Sequence, residues 1–155
     1  MGSQSARRLG WVFSVAVMSA VAPGCTRSSD PIVTELPKAE QDLCTIAQAY
    51  CRVFARTKKA PMSFDDLRPY LAELGNPDDM LVSPNDGQTY QVMWGADPTK
   101  GGGGSVRGMW SIIAYEKVGR NGRRAVADMR GLPTTVTDEE FAQLTFIGGK
   151  TPGSL

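Results

Sequence analysis

The sequence predicts an α+β fold: an N-terminal amphipathic helix and a short second helix packed on a three- to four-stranded antiparallel sheet, closed by a short C-terminal helix. Three observations predict it. Apolar residues recur at helical spacing across residues 37–57. The period then changes to two in the second half of the chain. Between two apolar runs stands Asn121-Gly122, the strongest hairpin signal in the sequence.

The first helix is expected to start at Pro37, whose missing N–H costs nothing in a first turn. Leu43, Ile46, Ala47, Tyr50, Val53 and Phe54 form one apolar stripe at spacings of three and four. Lys58 and Lys59 suit the negative end of the helix dipole, and Pro61 stops the helix. Cys44 and Cys51 lie seven residues apart beside the stripe. Two helical turns separate them by about 10.5 Å, beyond the roughly 7 Å that a disulfide tolerates. They read as small buried hydrophobes.

Ser63-Phe64-Asp65-Asp66 reads as a capping box opening the second helix. Phe64, Leu67, Tyr70, Leu71 and Leu74 supply its buried face. Pro69 is expected to kink or split it, and Gly75-Asn76-Pro77 to end it. Asp65, Asp66, Asp78 and Asp79 read as caps and solvated charges rather than a metal site.

Pro84-Asn85-Asp86-Gly87 is a turn signal. Tyr90, Val92 and Trp94 alternate with Gln91 and Met93 at the strand period. Four consecutive glycines, Gly101 to Gly104, lack the GxxxxGK[ST] order of a phosphate loop and read as a connection between strands. Residues 109–115 are apolar on both faces and read as a central strand. The return strand spans residues 125–129, and Gly131 marks a further turn. Thr137-Asp138-Glu139-Glu140 is a full capping box before Phe141 and Leu144. Residues 148–155 read as a disordered polar tail.

Composition narrows the function. A net charge of +1 over 155 residues gives no electrostatic footprint for nucleic acid. The chain has no histidine, which excludes Ser-His-Asp and Cys-His catalysis and histidine-based zinc sites. No cofactor or metal is expected.

The N-terminus adds a destination. Arg7-Arg8 precede an uncharged run at residues 9–22, only about 21 Å long as a helix. A membrane span needs about 20 apolar residues, so the run reads as a secretory signal peptide over residues 1–24. It ends in Ala22-Pro23-Gly24-Cys25, which resembles the lipobox of bacterial lipoproteins. Gly24 and Cys25 fit that pattern, Ala22 stands where leucine is usual, and Pro23 departs from it. The resemblance implies that Cys25 receives a diacylglyceryl thioether and becomes the mature N-terminus. Acyl chains would anchor the chain to the envelope membrane, facing the periplasm or the outside. Residues 25–38, polar and carrying Pro31 and Pro37, then read as a tether to a globular domain at residues 39–147.

That domain resembles the globular part of the type II secretion pseudopilins, the G-type or major group. Ser63-Phe64-Asp65-Asp66-Leu67 with Tyr70-Leu71 carry the likeness, followed by Ser83-Pro84-Asn85-Asp86-Gly87, Tyr90, Trp94 and Gly95. Ala114-Tyr115-Glu116, Asn121-Gly122 and Thr137-Asp138-Glu139-Glu140-Phe141 complete it. The resemblance implies the fold. Residues 1–33 lack the prepilin cleavage site and glutamate-headed helix by which pseudopilins assemble into fibres. Asp86, Asp97 and Asp128 do not follow a calcium-loop spacing, so no metal is carried over.

The function these signals favour is a non-enzymatic, membrane-anchored binding or assembly domain beside a secretion or pilus-like system. Its partner would be an envelope or secretion-system protein. Tyr90, Trp94 and Trp110 are the candidate partner surface, weighed against a place in the core. Two alternatives stand beside it. One is a true pseudopilin that keeps residues 9–22 as a membrane helix. The other is a wall hydrolase whose carboxylates, Glu116 and Asp128, would face each other across the hairpin.

Overall fold

A computed structural model describes residues 36–103 and 106–149. The expected signal peptide, Cys25 and most of the tether and tail lie outside the described residues. The fold is α+β, with four α-helices and a four-stranded antiparallel sheet in the order β1-β2-β3-β4.

Helix α1 (Lys38–Thr57) begins one residue after the expected Pro37, which serves as its N-cap. Its stripe is buried: Leu43, Ile46, Ala47 and Tyr50 have no exposed surface. Lys58 closes the helix in the left-handed region, its N–H donating to the Phe54 carbonyl. Helix α2 (Phe64–Leu71) opens with the expected capping box at Ser63 and Asp66. The expected split at Pro69 does not occur, because Pro69 stands on the exposed face near the end of a short helix. Its missing N–H removes a single hydrogen bond, and the Ala72 N–H still reaches the Arg68 carbonyl. Asn76-Pro77 does more than stop α2. The Asn76 side chain accepts from the Asp78 N–H, and Pro77 takes the first position of α3 (Pro77–Met80).

Strand β1 is Gln91–Val92, shorter than the alternation of residues 90–94 predicts. The chain turns away at Trp94-Gly95, where Gly95 has φ 71° and its N–H donates to the Pro61 carbonyl. Strand β2 (Ile112–Tyr115) is the central strand the sequence predicts, flanked by β1 and β3 and buried throughout. Its register to β3 (Arg123–Asp128) shifts between Ile112 and Ala114, a bulge that leaves Ile112 and Ile113 both fully buried. Asn121 and Gly122 have φ of 53° and 68°, and Arg120 and Arg123 exchange backbone hydrogen bonds of 2.7 and 3.1 Å. That is the hairpin turn the Asn-Gly pair predicts.

Strand β4 (Pro133–Thr137) forms the edge, and the sequence pattern does not mark it. The register pairs Ala125 with Thr135, and the Asp138 N–H donates to the Gly122 carbonyl. It follows that Pro133, Thr135 and Thr137 turn their backbone groups outward. Pro133 has no N–H, and the Thr137 N–H is taken by the Glu140 carboxylate. Only the Thr135 N–H is left at the edge, which blunts strand addition there. Helix α4 (Asp138–Phe141) follows directly from the Thr137 capping box.

The two faces of the sheet differ. Ala114, Ala125 and Ala127 share a face with Thr135, whose hydroxyl donates to Glu40 of α1 at 2.6 Å. Helix α1 therefore lies on a floor of alanines. On the opposite face Tyr115 packs against Phe141 and Phe146 at centroid distances of 5.2 Å each. Phe146 also bridges Ile112 in parallel, so residues beyond α4 complete the core.

Two glycines with similar φ make a discriminating pair. A Cβ on Gly119 (φ 76°) would stand 2.2 Å from the Arg123 carbonyl oxygen, whereas one on Gly87 (φ 67°) would meet nothing within 4 Å. Urea denaturation should show Gly119→Ala losing about 3 kcal/mol or more, from clash added to left-handed strain. Gly87→Ala should lose only about 1 kcal/mol. Equal losses would contradict this packing.

Candidate interaction surface

Tyr90, Trp94 and Trp110 occupy three different environments. Tyr90 is 1% exposed and offers no surface to a partner. Its hydroxyl stands 3.5 Å from both the Ala39 carbonyl and the Asp42 carboxylate, fastening α1 to the loop before β1. Burial first, and then the Asp42 charge, push its phenol well above the usual range. Trp94 is half-buried, stacked on Tyr50 at 6.3 Å and edge-on to Phe64 at 4.7 Å. It is part of the joint between α1 and α2. Tyr50 donates to the Met93 and Ala96 carbonyls, and burial pushes its phenol up to about 12.

Trp110 alone of the three is exposed, at 39%. The Arg130 guanidinium lies 5.4 Å from its ring centroid. Arg130 is in turn held by Asp128, with Nε at 2.9 Å and a terminal nitrogen at 2.6 Å. Asp128 is buried and also accepts from the backbone N–H groups of Trp110, Arg130 and Leu132. One carboxylate thus fixes the turn after β3 and sets Trp110, Arg130 and the exposed Leu132 around it. The residues that sequence reasoning missed are Arg130 and Leu132. The signal was Asp128 two residues before Arg130, an Asx-type turn at the end of a strand.

Glu116 and Asp128 are both buried but do not face each other. Glu116 lies opposite Ala125, whereas Asp128 pairs with Ile112. Ala125 and Asp128 are three residues apart on β3, which is about 10 Å along the strand and onto opposite faces. Each carboxylate is spent on structure. Glu116 accepts from the Ser83 hydroxyl, from Asn85 at 2.8 Å and from the Ala125 N–H at 2.6 Å.

Asp86 lies 2.9 and 2.8 Å from the Val118 and Gly119 N–H groups. Burial works against its charge, but donors from Gly119, Gln88 and Val118 outweigh it and hold the carboxyl below the usual range. Asp97 caps the 3-10 turn Pro98–Lys100. Among the described residues no three His, Cys, Asp or Glu side chains converge to hold a metal ion.

Cys44 and Cys51 are both free, and burial raises both thiols. Cys51 donates to the Met129 carbonyl at 3.3 Å, and the intact α1 keeps the pair apart. A hollow of about 260 Å³ lies at the far end of α1, lined by Val53, Ala60, Pro61 and Met62. Cys25 lies outside the described residues. Among those residues no helix is long and apolar enough to cross a membrane.

With this geometry in hand, comparison with known proteins adds no relative: no family model, curated protein or solved structure matches the chain.

Asp42 supplies a pH test. It is buried against Lys38 and Tyr90, and burial raises its carboxyl above the model-peptide value of 3.8. A raised carboxyl binds its proton more tightly in the folded state. Its contribution is therefore present below the unfolded value and lost as pH rises through the folded one. Thermal melts between pH 3 and 7 should show wild type losing stability relative to Asp42→Asn as pH rises. A difference that grows in the other direction would show that Lys38 dominates Asp42.

Proposed function

We propose that this chain is an exported lipoprotein, held at the envelope membrane by acyl chains on Cys25, whose domain is a non-enzymatic binding or assembly module. The observation that carries this reading is Ala22-Pro23-Gly24-Cys25, placed directly after a charged start and a short apolar run. The described domain is compatible with it. Helix α1 starts thirteen residues after Cys25, which leaves room for a tether.

A pseudopilin-like character is part of the proposal. A long helix laid on an antiparallel sheet, with a capped second helix and an Asn-Gly hairpin, supports it. The partner would be a protein of the envelope or of a secretion system. Trp110 with Arg130 offers the aromatic and guanidinium chemistry that carries most interface energy. The titratable groups of the sheet, Glu116, Asp86 and Asp128, are engaged in holding turns rather than aimed at a cleft.

Metabolic labelling with an alkyne fatty acid tests the anchor. Wild type should carry the label and sediment with membranes. Cys25→Ser should lose the label and leave the membrane fraction. An unlabelled wild type, or a Cys25→Ser variant that keeps the label, contradicts the reading.

A further inference from the structure

The end of the domain where α1 begins is also the end where the β2–β3 hairpin turns. Glu40 meets Thr135, which pairs with Ala125. Eleven residues on, Cys51 meets Met129. Helix α1 therefore runs alongside β3 from the level of Ala125 to that of Met129. The helix begins toward the hairpin, and Trp110, beside Asp128, belongs to the opposite end.

The tip carries Lys117, Arg120 and Arg123, all exposed and in no ion pair among the described residues. Val118 between them is 59% exposed. Acids stand nearby on α4. Asp138 is taken by Arg124 and Glu140 by Arg107, while Glu139 is exposed. Asp86 is spent on the tip's own backbone. Charges of both signs are thus close together, and attraction beyond a Debye length of about 8 Å is weak. What the tip offers is short-range: three protruding cations and a bare valine.

An anchor changes the weight of such a contact. Ten residues separate Cys25 from Leu36 and span at most about 36 Å when fully extended. A contact that is weak between free molecules becomes populated when one partner is tethered to the other. Resting on the reading of Cys25 as acylated, we propose that the hairpin tip is the surface the domain lays on the bilayer. Lys117, Arg120 and Arg123 would meet phospholipid phosphates, and Val118 the headgroup boundary. The Trp110–Arg130 surface is then presented away from the membrane.

The test uses the full acylated protein, its lipid verified by mass, in vesicles of phosphatidylethanolamine and phosphatidylglycerol with or without brominated chains. Tryptophan is added at Val118 in one variant and at Leu132, 54% exposed at the far end, in another. Emission added by Val118→Trp should be quenched by brominated lipid, and that added by Leu132→Trp should not. Arg120→Gln and Arg123→Gln should each lower the ratio of quenched to unquenched protein about fivefold, the effect expected of one cation near the surface. Acylated protein with no quenching at Val118→Trp, or equal quenching at both sites, overturns this inference and leaves the anchor standing. Protein without acyl mass overturns the anchor reading and this inference with it.

Discussion

The fold depends on one close approach, that of α1 to a sheet face made of alanine. Ala114, Ala125 and Ala127 add almost no height above the backbone, so large side chains from α1 fill the space. Leu43 and Ile46 of α1 are fully buried, as is Tyr50 where it meets Trp94 and the Met93 and Ala96 carbonyls. Each removes roughly 1.5–3 kcal/mol worth of apolar surface from water. A larger residue at any of the three alanines would lift the helix off all of them at once. The opposite face works differently. Tyr115, Phe141 and Phe146 close it with rings set edge to face or tilted.

Carboxylates supply the second kind of order. Asp86 and Asp128 accept from backbone N–H groups in turns, and Glu116 accepts from the Ala125 N–H of β3. Glu116 ties the loop after α3 to the start of β3. Asp86 ties the next turn to the hairpin, and Asp128 ties the turn before β4. A carboxylate held by several donors is fixed in position. Such acids resemble catalytic groups in a sequence because they stand in or beside strands. In the structure their oxygens accept from backbone and side-chain donors nearby.

What the sequence revealed was mostly local and periodic. The stripe of α1, the capping boxes at Ser63 and Thr137, and the Asn121-Gly122 turn are all in the structure, because each signal is satisfied within a few residues. What it hid was set by distant partners. The length of β1 depends on Gly95 meeting Pro61, and β4 is a threonine-rich edge held by β3. Phe146 lies inside the expected domain, but nothing in the sequence marks its pairing with Ile112. Pro69 is tolerated because α2 is short and the proline stands on its exposed face, a property of context rather than of the residue. The aromatic surface was legible only in part. Trp110 and Trp94 look alike in sequence, but Phe64 and Tyr50 cover Trp94 while Trp110 stays exposed with Arg130 over its ring.

Taken together, the domain has two distinct ends: a basic, valine-tipped hairpin toward the start of α1, and a tryptophan beside an arginine at the other. That arrangement is compatible with the proposed binding or assembly module. On that account everything turns on how residues 1–25 are processed. The most direct measurement is the intact mass of the protein extracted from membranes by detergent. The account predicts the mass of residues 25–155 with acyl chains on Cys25. A mass that retains residues 1–24 would contradict it and make residues 9–22 a membrane anchor instead.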